Sequence, residues 1–152
     1  MPPVVIHFAR CHPAAVTPKF VHVGDSGFDF FTVEDVIIMG GDKAVLRTGI
    51  KVELPPGYEI QIRPRSGISA KTPINVLLGT IDSGYRGELG VIVENTGTRN
   101  WRIKAGERIG QGIVARVPEV VFMEVEEDQL TPSTRGEGGF GSSGGHRGIP
   151  CT

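Results

Sequence analysis

Short strand-like segments, separated by glycine- and proline-rich turns, constrain the fold of this chain more than any other feature. Alternating apolar and polar residues or short β-branched runs predict strands over 4–8, 35–38, 44–54, 58–63, 89–94, 109–115 and 119–125. Clusters of Gly, Pro, Asn and Asp predict turns at 40–42, 55–57, 95–97 and 105–106. Because no segment supports a helix of ordinary length, the sequence predicts an all-β sandwich or barrel.

The chain has the size of a single domain. Its 152 residues suit one compact core, and the composition changes only near Thr131, where Gly and Ser become frequent. We therefore predict a β-domain over residues 1–130 and a flexible glycine-rich arm over 131–152.

The run from Gly79 to Gly87 places a carboxylate and an aromatic ring, Asp82 and Tyr85, within a predicted hairpin. Asp82 can take a proton from a water, Tyr85 can offer a flat face to a sugar, and the glycines let backbone groups approach a base. The alternative is an ordinary turn, since Asp, Ser and Gly favour turns for conformational reasons.

The arm from Arg135 to Gly145 has the composition of an anion-binding loop. Its small residues expose N–H groups, Arg135 supplies a fixed positive charge, and Phe140 supplies a stacking face. Residues 136–141 fit G-x-G-x-x-G, but residues 131–134 do not form the strand that the dinucleotide fingerprint requires before it, and the lysine of a phosphate loop is missing. The alternative is a flexible terminus without function.

The segment from Arg63 to Lys71 is predicted to turn from a strand into a short helix. Ser66 is the predicted N-cap, and the start of the helix can present N–H groups to a phosphate beside Arg65. The alternative is a capped connector with a surface arginine.

Two further segments, 25–30 and 106–114, carry single polar residues in extended patterns. Asp29 lies between two Phe residues, and Gln111 lies between Gly110 and Gly112, which are predicted to loosen the strand. Asp29 can help to hold a hydrated cation and Gln111 can contact a phosphate or a water. Alternatively, they are a strand-edge carboxylate and a surface amide.

In this order, the five segments resemble the five motifs of the trimeric dUTP pyrophosphatase (dUTPase) family, in a short form common in bacteria and their phages. The matching residues are 25–29, 64–67, 79–87, 106–111 and 135–144. The resemblance spans most of the chain. It implies hydrolysis of dUTP to dUMP and pyrophosphate, which limits uracil incorporation into DNA and supplies dUMP for dTTP synthesis.

The resemblance also implies a role for each matching residue. Asp82 would be the general base that activates a water for attack on the α-phosphorus, with Arg65 as the second catalytic residue. Uracil would pair with the backbone of Gly79, Thr80 and Ile81, while Tyr85 would pack against the deoxyribose. The remaining contacts would be Phe140 over the base and, on the triphosphate, Ser66, Gly67, Gln111, Arg135, Gly141, Ser142 and Ser143.

The family further implies Mg²⁺ as cofactor, placed by Asp29 through waters. The implied fold is a jelly-roll-like β-barrel of the β-clip type, assembled as a homotrimer. Each active site would take the third motif from one subunit, the first, second and fourth motifs from a neighbour, and the arm from the remaining chain.

Two alternatives use the same scaffold. A dCTP deaminase, or a bifunctional deaminase and diphosphatase, needs a Glu in the strand after the third motif, where this chain has Ile92. A regulatory protein would instead use nucleotide occupancy and the arm to bind a protein partner.

Composition excludes other classes. A net charge of −1 without a basic stripe argues against binding of nucleic acid. The sequence has no apolar run long enough for a membrane span and no signal peptide, so the expected location is the cytoplasm. Cys11 and Cys151 are predicted to be free thiols, and the four scattered His residues are predicted to be surface or packing residues rather than ligands.

Overall fold

A computed structural model describes residues 2–139, and their regular secondary structure is almost entirely β-strand. The all-β prediction is therefore confirmed. The described elements are β1 (His7–Arg10), β2 (Phe28–Phe31), β3 (Val36–Ile38), β4 (Lys43–Arg47), β5 (Ile50–Glu53), β6 (Tyr58–Arg63), α1 (Ser66–Lys71), β7 (Ile74–Val76), β8 (Gly79–Ile81), β9 (Gly90–Asn95), β10 (Trp101–Ile103) and β11 (Arg108–Arg116).

The strands pair antiparallel and form several small sheets. The largest sheet has four strands in the order β2-β11-β6-β8, and a second has three in the order β4-β9-β7. Two further pairs join β1 to β5 and β3 to β10. Because consecutive strands repeatedly change sheet, the chain wraps around one core as the predicted jelly-roll-like β-barrel.

The core is formed by inward-facing residues of several strands. Leu46, Ile60, Val91 and Val93 are fully buried, with 0% of their surface exposed. They alternate with outward-facing neighbours along β4, β6 and β9, which is the period that predicted these strands.

The predicted strand over 44–54 is two strands, because Gly49 interrupts it. Its φ of +67° is a conformation that other residues rarely adopt, and a Cβ there would lie 2.7 Å from His12 Cβ. The chain consequently leaves β9, the partner of β4, and β5 pairs with β1 instead.

The predicted hairpin over 79–87 is also wrong. β8 pairs with β6, whereas the next strand, β9, pairs with β4 and β7. The segment therefore crosses between sheets, and its turn is closed by Tyr85 N donating to Asp82 O at 3.1 Å.

Two smaller expectations differ from the structure. Helix α1 begins at Ser66 with Arg65 at the N-cap position, and no side chain caps it. The predicted strand over 119–125 does not form, because this segment pairs with no strand of the described chain.

Within residues 2–139, those up to Glu119 form one compact unit and those from Val120 belong to a second. The described part of the second unit contains a 3-10 turn at Glu127–Gln129 and a hydrogen bond from Arg135 Nε to Gly138 O at 2.7 Å. The domain boundary at residue 130 stays a prediction. Within residues 2–139, no helix has the length and apolar character needed to cross a membrane.

Candidate active site

The first pocket lies beside β8 and has a volume of about 230 Å³. β8 is the outer strand of its sheet, so only one of its edges pairs with β6. In the described chain, the other edge has no strand partner, so those backbone N–H and C=O groups of Gly79–Ile81 that point away from β6 are open. Such an edge can pair with the polar edge of a planar base.

Asp82 and Tyr85 both line this pocket. Asp82 follows the last residue of β8, and its carboxylate makes no hydrogen bond or ion pair with residues 2–139. Tyr85 is 46% exposed, so its ring remains available for contact. The structure thus brings together the predicted general base, Asp82, the predicted sugar contact, Tyr85, and the backbone of β8.

The second pocket is polar and has a volume of about 410 Å³. Arg65 Nε lies 2.9 Å from Asp29 Oδ1, and Arg108 Nε lies 3.0 Å from Asp29 Oδ2. The side chain of Asp29 is only 10% exposed. Oδ2 accepts no hydrogen bond from residues 2–139 and contacts Arg108 as an ion pair. One carboxylate therefore holds two guanidinium groups in a site suited to anions.

Gln111 lines the same pocket, and its amide uses only one of its two N–H donors within the described chain. Its Nε2 donates to the carbonyl of Pro64 at 2.8 Å. Gln111 lies opposite Asp29 on one side and Arg63 on the other. It therefore ties the loop that carries Arg65 and Ser66 to the centre of the sheet.

Sequence reasoning missed Arg108. In a regular strand, residues three apart point to opposite faces, which would separate Arg108 from Gln111. A register shift between Arg108 and Gly110 brings both side chains into the polar pocket. A basic residue just before a predicted strand is the only sequence signal, and it is a weak one.

The glycines around Gln111 do not interrupt the strand, although its register shifts between Arg108 and Gly110. β11 is continuous over Arg108–Arg116 and pairs with both β2 and β6. A Cβ at Gly112 would lie 2.5 Å from Phe28 Cζ, and the Phe28 and Phe30 rings pack edge to face over it. Gly112 therefore makes room for an aromatic pair.

The two pockets share no lining residue. Ile81 pairs with Ile60, three residues before Arg63 at the end of β6, and this interval spans about 10 Å. Asp82 continues from one end of this strand pair and Arg65 from the other. Within one chain, Asp82 and Arg65 therefore lie beyond opposite ends of the β6–β8 pair and line different pockets.

Ser66 and Gly67, the remaining predicted residues of the second motif, are exposed at the start of α1. Arg135 is exposed in the second unit. Phe140, Gly141, Ser142 and Ser143 lie outside the described residues.

Together, the fold and the two pockets define an all-β protein of the class that binds phosphorylated nucleotides: one pocket suits a base and a sugar, and the other suits an anion. More narrowly, the chain belongs to the dUTPase family, whose family model matches residues 14–144.

Curated relatives agree with this assignment. The deoxyuridine 5'-triphosphate nucleotidohydrolase of Crocosphaera subtropica is 50% identical over 141 residues, which cover 91% of this chain and 98% of the relative. The enzyme of the same name from Thermobifida fusca is 43% identical over 146 residues, covering 94% of this chain and 80% of the relative.

Solved structures show the same fold. The dUTPase of Staphylococcus bacteriophage 80alpha with dUPNHPP superposes with a TM-score of 0.87 at 31% identity, covering 92% of this chain and 98% of that one. A D95N variant of the phage phi11 dUTPase, described with a structural Mg(II) ion, gives a TM-score of 0.78 at 25% identity, covering 83% of this chain and 99% of that one.

Proposed function

We propose that this protein hydrolyses dUTP to dUMP and pyrophosphate. The observation that carries the proposal is the position of Asp82, which follows an open-edged strand in a pocket that also contains Tyr85 and whose carboxylate has no partner among residues 2–139. Membership of the dUTPase family supports the same substrate.

Uracil binds along the open edge of β8. Backbone groups of Gly79, Thr80 and Ile81 pair with the base, and those groups would be mismatched against cytosine. Mismatched buried polar groups discriminate strongly, by about 10⁴-fold or more. Tyr85 packs against the deoxyribose, so a 2′-hydroxyl is excluded.

The reaction is an in-line displacement at the α-phosphorus. Asp82 accepts a proton from a water, and the water oxygen bonds to the α-phosphorus. The bond to the oxygen that bridges the α- and β-phosphates then breaks, and pyrophosphate leaves with the electron pair. Such a displacement mainly requires positioned groups and neutralised charge.

Charge neutralisation comes from the polar pocket. Arg65, Ser66 and Gly67 contact the triphosphate, and Gln111 holds their loop through its hydrogen bond to Pro64. The arm completes these contacts with Arg135, Phe140, Gly141, Ser142 and Ser143.

Mg²⁺ is the proposed cofactor, and Asp29 is the residue that would hold it through water. Both oxygens of Asp29 lie within 3.0 Å of an arginine nitrogen, so Asp29 would contact the ion only through an intervening water, with substrate phosphates as the direct ligands. Residues 2–139 contain no cluster of three or more His, Cys, Asp or Glu side chains suited to a metal. Mg²⁺ keeps several waters and binds phosphate oxygens readily, and it would supply positive charge to the phosphate oxygens.

A homotrimer with shared active sites explains the separation of Asp82 from Arg65. The pocket beside β8, here called the base pocket, then faces the polar pocket of a neighbouring subunit. The arm of the remaining chain closes over both pockets. Exposed apolar residues support an assembly: Val121, Phe122 and Met123 are 82%, 95% and 81% exposed.

Deamination of dCTP is less well supported. Ile92 lines the base pocket at the position where a deaminase needs a Glu. Glu88 lines the pocket as well, but both of its carboxylate oxygens are occupied by Arg47 and by the N–H of Gly49. It is therefore not a free proton carrier.

A regulatory role in addition to hydrolysis is the second proposal. For either function we propose a cytoplasmic location. Phage dUTPases similar to this chain are described as controlling transfer of virulence genes. A pull-down with and without a non-hydrolysable dUTP analogue would identify a nucleotide-dependent partner.

Release of pyrophosphate in the presence of Mg²⁺ tests the proposed activity, with dUTP, UTP, dTTP and dCTP compared on one preparation. We expect release from dUTP alone. Release from none of them by folded protein would contradict the proposal, and ammonia from dCTP would favour the deaminase.

A further inference from the structure

The ring of Tyr85 is held in one place by the turn that contains it. Its hydroxyl donates to the backbone carbonyl of Glu88 at 3.0 Å, and its N–H donates to Asp82 O at 3.1 Å. The ring also folds back over Gly87, where a Cβ would lie 2.2 Å from the Tyr85 hydroxyl oxygen. The orientation of Tyr85 therefore depends on where the backbone of Glu88 lies.

The side chain of Glu88 fixes that backbone to the turn between β4 and β5. Oε1 accepts a hydrogen bond from Gly49 N at 2.9 Å, and Oε2 accepts two from Arg47, from Nε at 3.2 Å and Nη2 at 3.0 Å. Arg47 ends β4 and Gly49 precedes β5, so one carboxylate bridges the turn between these strands to the base pocket.

Leu89, the next residue, strengthens the link to the turn between β4 and β5. Leu89 is 2% exposed, and its N–H donates to Ile50 O at 2.8 Å. Its carbonyl accepts hydrogen bonds from the N–H of Thr48 at 3.2 Å and from the Thr48 hydroxyl at 2.7 Å. Residues 88–89 are thereby joined to residues 47–50 through backbone and side chain alike.

We propose that Glu88, held by Arg47 and Gly49, is a positioning residue that sets the place of Tyr85 and thereby the rejection of ribonucleotides. This inference rests on the proposed function, in which Tyr85 packs against the deoxyribose. Glu88 lines the pocket beside Tyr85, but its two carboxylate oxygens are bonded to Arg47 and Gly49 rather than directed at the substrate.

The lowered pKa of Glu88 agrees with a carboxylate that stays ionised rather than one that exchanges protons. Burial by itself would raise the pKa of Glu88, but the hydrogen bonds from Arg47 and Gly49 outweigh it and the pKa is lowered. The carboxylate therefore stays ionised and bonded at neutral pH.

A purely structural role would have a different effect. Loss of stability alone would reduce the amount of active enzyme and lower turnover of dUTP and UTP by the same factor. A displaced Tyr85 would instead admit the 2′-hydroxyl, so the ratio of kcat/KM values for dUTP and UTP would fall.

The first test is that ratio in Glu88→Gln and Arg47→Lys. Glu88→Gln removes the charge while preserving the size, and Arg47→Lys preserves the charge while removing the paired donors. We expect the preference for dUTP over UTP to fall by at least about tenfold in Glu88→Gln, and by less in Arg47→Lys.

Lys43→Met is the matched control, because Lys43 also lies on β4 and pairs with a glutamate, Glu94, at 3.8 Å. The preference of Lys43→Met for dUTP over UTP should equal that of the wild type.

The second test does not require activity. The chain has two tyrosines, Tyr58 and Tyr85, so tyrosine-ring NMR resonances can be assigned with a Tyr58→Phe variant. Glu88→Gln and Arg47→Lys should shift the Tyr85 resonances and leave those of Tyr58 in place. Unchanged Tyr85 resonances, or an unchanged substrate ratio in an active variant, would overturn the inference. Shifted resonances in a protein whose wild type does not hydrolyse dUTP would support the positioning of Tyr85 and refute the proposed function.

Discussion

Arg65 Nε lies 2.9 Å from Asp29 Oδ1, so a carboxylate on the outer strand β2 holds the arginine that we propose for the triphosphate. The Asp29 side chain is 10% exposed and that of Arg65 is 33% exposed, so water screens this pair less than a surface pair. Asp29 thereby fixes the direction of Arg65 before a nucleotide binds.

Asp29→Asn should weaken turnover through loss of this contact. We expect kcat/KM for dUTP to fall by about tenfold or more, because two guanidinium groups lose their shared partner. Asp35→Asn is the matched control, since Asp35 pairs with Arg102 where both side chains are at least half exposed. Steady-state kinetics should separate the two variants, and an equal effect of both would contradict the role of Asp29.

Gly112 and Gly110 should differ in their tolerance of a methyl group. Gly112→Ala should lower the free energy of unfolding by about 1–3 kcal/mol, because its Cβ would lie 2.5 Å from the Phe28 ring. Gly110→Ala should change it by no more than about 0.5 kcal/mol, because its nearest neighbours would lie at 3.4 Å. Urea unfolding measures both, and equal midpoints would show that the Phe28–Phe30 packing does not constrain position 112.

Glu88 should contribute to stability in a pH-dependent way. Its pKa in the folded protein is below the ordinary value of 4.5, so the contribution is complete above that pH and is lost as pH falls through the folded-state value. Glu88→Gln should therefore be less stable than the wild type near neutral pH, and the difference should shrink in acid. Urea unfolding across this range is the measurement, and a difference independent of pH would contradict the account.

Much of the fold could be predicted from local patterns. The alternation along β6 and β9 and the turns at Gly41, Gly57 and Gly106, all with positive φ, depend on neighbouring residues and were predicted correctly. The pairing of strands depends on distant residues. For this reason the predicted hairpin after β8 and the single strand over 44–54 were wrong.

In the candidate site, too, local motifs predict some residues, whereas others depend on distant contacts. The family resemblance identified Asp82, Tyr85 and Arg65 from contiguous motifs, and the structure places the first two in one pocket. It could not identify Arg108, whose side chain enters the polar pocket because of a bulge, or Glu88, whose partner Arg47 is 41 residues away in the sequence.

The arm should be required for turnover but not for folding. A chain ending before Arg135 should keep its oligomeric size and lose activity by at least about 100-fold, because positioned groups on the triphosphate are removed. A chain ending after Gly144 keeps those residues and should remain active. Pyrophosphate release together with light scattering tests this, and near-normal turnover of the shorter chain would contradict it.

The central claim is that Asp82 and Arg65 act on one substrate from different subunits. Asp82→Asn and Arg65→Gln should each reduce turnover by about 10²- to 10⁴-fold. When the two variants are co-expressed in equal amounts, most trimers are mixed and each mixed trimer has one intact site. Pyrophosphate release should therefore recover to about a quarter of the wild-type rate. A mixture no more active than its two parents would show that both residues act from the same chain and would contradict the shared site.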